Sequence, residues 1–173
     1  MTTVALPVSL RAALVLLLGL VILAANARGE DELVISELSY LDRRYMDQQR
    51  DSVMALTASH LGRRLNGDTD NDLELLQMLL DRDIVRPDMT RELQAMGIVL
   101  GDLLAQDLDM HWLVYEDNMG RSRALRYQDT DNFLFPATMI ARRQEAGANT
   151  PVADIYRKAY LSIDRQREPL PFQ

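Results

Sequence analysis

The chain has 173 residues, with 19 Lys and Arg against 26 Asp and Glu, a formal charge of −7, and no cysteine. The missing cysteines exclude disulfides, thiol nucleophiles and thiolate metal centres. The acidic balance disfavours nucleic acid and anionic lipid surfaces as partners. Lys158 is the only lysine; arginine is suited to gripping carboxylates as a planar fork, and composition bias would give the same count.

Met1 to Arg11 carries one positive charge, Ala12 to Ala25 is an unbroken apolar run, and Ala25-Asn26-Ala27 fits the small-x-small cleavage rule. The run is shorter than the roughly 20 residues a membrane span needs. It reads as a secretory signal, residues 1–27, with the mature chain starting near Arg28 and located in the periplasm or outside the cell. An uncleaved amino-terminal anchor is the alternative. Losing Arg11 leaves 18 Lys and Arg against 26 Asp and Glu, a charge of −8. The rest divides into an extended lead-in at 28–38, a single domain at 39–164 and a flexible tail at 165–173, with no internal repeat.

Ser39 and Asp42 have the spacing of a capping box, and helical composition without proline continues to Leu65, where Asn66-Gly67 stops it. Leu41, Tyr45, Val53, Leu56, His60, Leu61 and Leu65 mark its expected apolar face. Thr69-Asp70-Asn71-Asp72 reads as a second capping box before a helix to about Arg82. Arg86-Pro87-Asp88 breaks the chain, and Thr90 is expected to cap a central helix reaching Asp107. That helix is apolar on nearly every side and therefore buried. Gly97 and Gly101 share one face and admit a close neighbour. In a membrane the pair would suggest dimerisation; flanking Arg91, Glu92, Asp102 and Asp107 favour close packing in a soluble core.

Met110–Glu116 and Arg121–Tyr127 read as two strands joined by Asp117-Asn118-Met119-Gly120. Asn132–Phe135 is a possible third strand, which Pro136 ends before a helix from Ala137 to Glu145. Thr150 and Pro151 then open a last helix carrying Val152, Ile155, Tyr156, Ala159 and Ile163 at helical spacing. The predicted fold is α+β: about three amino-terminal helices packed on a small antiparallel hairpin or three-stranded meander, followed by two carboxy-terminal helices.

Asp68, Asp70, Asp72 and Glu74 resemble the start of a calcium loop, but Leu73 and Leu79 occupy the places that need Gly and Glu, so helix capping is the preferred reading. His60 and His111 form no zinc spacing and are read as structural or surface residues. No Gly-x-Ser-x-Gly elbow is present. Neither catalytic nor metal-binding residues are assigned, and no cofactor is expected. The hairpin is the candidate binding surface, formed by Trp112, Tyr115, Glu116, Arg121, Arg123 and Arg126, because aromatic and arginine side chains anchor protein interfaces. The competing reading puts the aromatics in the core and pairs the arginines with Glu116, Asp117 and Asp129.

Four segments, Glu92–Asp102, His111–Asp117, Gly120–Arg126 and Asn132–Pro136, resemble the bacterial family known as domain of unknown function 3806. The resemblance implies a bacterial envelope protein and supports the order helix, hairpin, helix; it brings no catalytic residues. The sequence reading is an exported, monomeric binding module for an unidentified envelope protein. The alternatives are a hydrolase of envelope material using Glu116, Asp117 or Asp129, and an inhibitor or immunity protein for a secreted toxin. Neither nucleic acid nor, if the signal is cleaved, a membrane is an expected partner.

Overall fold

The computed structural model describes residues 33–167. The signal at 1–27, most of the lead-in and residues 168–173 lie outside them. Within the described residues the order is β1 (Val34–Glu37), α1 (Tyr40–Leu56) ending in a π turn (Thr57–Leu61), α2 (Thr69–Asp81), α3 (Thr90–Leu108), β2 (Met110–Asp117), β3 (Gly120–Tyr127), β4 (Phe133–Leu134), a 3₁₀ turn (Pro136–Thr138), α4 (Met139–Glu145) and α5 (Val152–Arg167). The α+β expectation holds, with helices before and after one antiparallel sheet of order β1-β2-β3-β4.

The organising element is α3. Eleven of its 19 residues are buried, from Leu93 to Leu108, and each large apolar side chain so placed contributes about 1.5–3 kcal/mol. It packs against α1, α4, α5, the 3₁₀ turn and the sheet. Gly97 and Gly101 serve the close approach expected of them. A β-carbon on Gly97 would lie 2.5 Å from the Pro136 carbonyl oxygen and 2.7 Å from Ala137 Cα, and one on Gly101 would run into the Trp112 indole. The pair seats the 3₁₀ turn and Trp112 directly on the helix backbone.

Several expectations are corrected. The lead-in contains a strand: Val34–Glu37 pairs antiparallel with Leu113–Glu116 and gives the sheet a fourth strand. A single short segment with its polar residues outward carries too little alternation to declare itself. Helix α1 does not reach Leu65; Gly62, at φ +66°, turns the chain out of the helix in the left-handed region. Its buried face is Asp42, Met46, Gln49 and Val53, while Leu41 is 76 % exposed. The Ser39 capping box forms. Asp68, not Thr69, caps α2, accepting the Asn71 amide; Met89 stands at the α3 cap position without a side-chain bond, and the Thr90 hydroxyl donates to Glu145 instead. The last helix continues past Arg165 to Arg167.

Asp72 is buried and accepts the amides of Asn66 and Gly67 at 3.0 Å. The acids of this segment thus include a cap and a loop clasp, and among the described residues no three His, Asp or Glu side chains stand where they could hold a metal.

Candidate functional site

The hairpin closes with Asp117 opposite Gly120, leaving Asn118 and Met119 as a two-residue loop. Gly120 takes φ +122°, which L side chains rarely adopt, and the Asp117 carboxylate accepts the Met119 amide at 2.8 Å. Directly opposed residues share a face. Trp112, Val114 and Glu116 therefore lie with Leu125, Arg123 and Arg121, and because Val114 packs with Leu38, Met46 and Ile98, this is the face turned to the helices. Tyr115 and Arg126 lie on the other face. The six predicted binding residues do not form one patch.

Arg121 and Arg123 converge on one carboxylate. Asp42, only 2 % exposed, sits on the first turn of α1. It accepts Arg121 Nη1 and Nη2 at 3.0 and 2.7 Å and pairs with Arg123 Nη2 at 2.9 Å. The Ser39 amide and hydroxyl complete its shell at 3.1 and 2.6 Å. The Arg121 hydrogen bonds, together with those from Ser39, outweigh burial and hold the Asp42 carboxyl well below the usual carboxylate range. Arg123 Nε is buried without an acceptor, and its guanidinium lies 4.2 Å from the centre of the Tyr45 ring, a favourable cation–π contact. The competing reading, which paired the arginines with Glu116, Asp117 and Asp129, is corrected: among the described residues the ion-pair partner of both arginines is Asp42.

The other predicted residues are also engaged. Trp112 donates to Asp102 at 2.9 Å, and Arg50 grips the same carboxylate at 2.7 and 2.9 Å. Arg126 donates to the Thr130 carbonyl at 2.7 Å and lies over Phe133. Tyr115 meets Phe133 and Phe135 edge-on, each at 5.2 Å. Glu116 is exposed.

Beside β3 lies a cleft of about 490 Å³. One wall is Gly120–Arg123; the opposite wall is Phe135, the 3₁₀ turn and Arg142 of α4, with Tyr45, Gln94 and Ile98 along its base and Tyr115, Asp117 and Met119 at the hairpin end. It exists because β4 pairs with β3 only at Leu125 and Arg126, so among the described residues no strand pairs with the first half of β3 on that side. Arg142 is exposed and makes no ion pair among the described residues. Of the predicted residues, Tyr115, Arg121 and Arg123 line the cleft, while Trp112, Glu116 and Arg126 do not. Tyr45, Phe135, Thr138 and Arg142 were not anticipated. Tyr45 was placed on a buried helix face, and only the tertiary fold brings the other three opposite the hairpin.

Residues 72–156 match the model of the family described as Domain of unknown function (DUF3806). A crystal structure of a protein from Bacteroides thetaiotaomicron VPI-5482 has the same fold, with a TM-score of 0.69 at 21 % sequence identity over 80 % of this chain. The match takes in 50 % of that chain's length. No curated protein matches. The family segment includes Arg121, Arg123 and Arg142, while Asp42 and Tyr45 precede it. At residues 72–156 the chain therefore carries a domain of the DUF3806 family.

Proposed function

We propose that this protein is a non-catalytic binding module of the bacterial envelope, and that a partner protein docks in the cleft beside β3. The observation that carries this reading is the lining: Arg121, Arg123 and Arg142 stand among Tyr45, Tyr115, Phe135 and Met119 around about 490 Å³. That volume is in the range of ligand-binding clefts, and the mixture of arginine with aromatic side chains is the one that anchors protein interfaces.

The carboxylates support binding over hydrolysis. Acid–base work by paired carboxyls needs them within about 5–10 Å of one another. Asp117 precedes and Asp129 follows the eight-residue strand β3, roughly 25 Å apart at about 3.3 Å per residue, and Glu116 is on the helix-facing side. The apolar run and small-residue cleavage pattern at the amino terminus support export, to the periplasm or beyond the cell.

The test is affinity capture with the tagged full-length chain from a Gram-negative envelope, beside two folded variants. Thr138→Trp fills the cleft from the 3₁₀ wall, and Arg142→Glu reverses a charge on its rim. The expected result is one protein enriched by the wild type, whose purified form binds directly and loses at least about tenfold in affinity with each variant. Equal binding to all three chains, or no enrichment, would refute the cleft as the docking site.

A further inference from the structure

The open wall of the cleft is a backbone edge as well as a row of side chains. In an antiparallel ladder, alternate residues send their N–H and C=O groups to opposite sides. The Tyr127 amide donates to Asn132, on the β4 side. Counting back by twos along the regular pairing with β2, Leu125, Arg123 and Arg121 also present their backbone groups away from β2. Leu125 meets β4; Arg123 and Arg121 meet the cleft. Each therefore offers one N–H and one C=O to whatever lies there.

Charged side chains on an edge strand normally guard it against another strand. Here the guard is withdrawn, because Arg121 and Arg123 are folded under the sheet onto Asp42. Among the described residues no strand pairs with this edge, which lies beside aromatic and apolar surface, with Arg142 on the facing wall. Of the described charged residues lining the cleft, three are arginines and one, Asp117, is an acid, and the Asp42 charge beneath them is shared by two guanidiniums.

Resting on the binding-module reading, we infer that the occupant is an extended segment of another protein that adds as a strand to Arg121–Arg123, with an Asp or Glu side chain directed to Arg142. Backbone bonds to a sheet edge supply affinity in such complexes, and pockets for alternate side chains supply selectivity.

The experiment uses short peptides selected from a displayed random library against the full-length chain, after removal of those that also bind Thr138→Trp. Expected are an acidic residue enriched at one position, a loss of about tenfold or more on Arg142→Gln, and slowed hydrogen exchange at the Arg121 and Arg123 amides in the complex. N-methylation of alternate peptide residues should abolish binding in one phase and spare it in the other. Peptides that compete for the cleft but leave both amides exchanging freely, or that tolerate methylation in both phases, overturn strand addition and leave the binding module standing. A library yielding no cleft-dependent peptide, when the envelope partner is captured, overturns strand addition alone. Failure of both experiments removes both readings.

Discussion

Replacing Asp42 with asparagine tests how the hairpin is held. The variant keeps the side-chain volume and a polar neighbour for Ser39, but it removes the charged ion-pair partner that Arg121 and Arg123 share. Removing one member of a fully buried ion pair costs about 3–5 kcal/mol, whereas an exposed pair contributes about 0–1 kcal/mol. This cluster lies between those limits. The carboxylate is buried, but the Arg121 and Arg123 side chains are 44 % and 25 % exposed and can rehydrate. We expect Asp42→Asn to lose about 2 kcal/mol at pH 7, which for a domain of this size lowers Tm by about 6–8 °C. A carboxyl depressed in the folded state stabilises fully above its unfolded pKa of about 4 and ceases to do so as pH falls through its folded value. The difference between wild type and variant, measured by urea unfolding with circular dichroism, should therefore be constant near neutrality and shrink steadily below about pH 4. A difference under about 0.5 kcal/mol at pH 7, or one unchanged into strong acid, would show that the cluster does not secure the hairpin.

Gly97→Ala should lower stability by about 2 kcal/mol even though alanine gains roughly 1 kcal/mol in a helix interior, because the new methyl meets backbone of the 3₁₀ turn; a raised Tm would refute that packing. The Tyr156 hydroxyl donates to Asp107, and burial, followed by that bond and the Asp107 charge, pushes the phenol above its ordinary value. A raised pKa stabilises below the unfolded value of about 10, and that contribution is lost as pH climbs above it, so wild type should lose stability at alkaline pH and Tyr156→Phe should flatten that fall. A fragment restricted to residues 72–156 should fail to unfold cooperatively, since it lacks the Leu38 and Met46 that cover Ile98 and Val114, the strand β1 and Asp42; a sharp, reversible melting transition would contradict this.

Elements with a strong local pattern were legible in the sequence: α3 by its all-round apolar content, β2 and β3 as two strand-like runs on either side of Asp117-Asn118-Met119-Gly120, and α5 by its spacing. Caps were less so. Asp68 and Thr69 both suit a cap position, and one residue of displacement separates the reading from the observed bond. The deeper gap concerns side chains with two roles. Asp42 was read as a capping-box residue, and it is one, yet it also anchors two arginines 79 and 81 positions further on. Nothing local announces that second role. Leu41 illustrates the converse: an apolar residue at helical spacing is exposed because Met46, Gln49 and Val53 set the buried stripe about a third of a turn away.

The cleft traces to two features inside α3 and one after β4. Pro136 lacks an amide donor and cannot continue a ladder in a sheet interior. The chain must leave the sheet at Leu134, after pairing with only the far end of β3. Having left, it needs a place to dock, and Gly97 and Gly101 provide one by letting the Pro136–Ala137 backbone settle onto the helix where any β-carbon would collide. The glycine pair thus holds the departing chain away from β3 while keeping it close enough to form an opposite wall. A larger residue at Gly97 would displace the 3₁₀ turn and alter the cleft width even where the fold survived. The same sequence signal that marks close packing in the core therefore also sets the geometry of the open edge. Changes at Gly97 should affect strand capture through the spacing of the two walls, by displacing Ala137 from its seat on the helix.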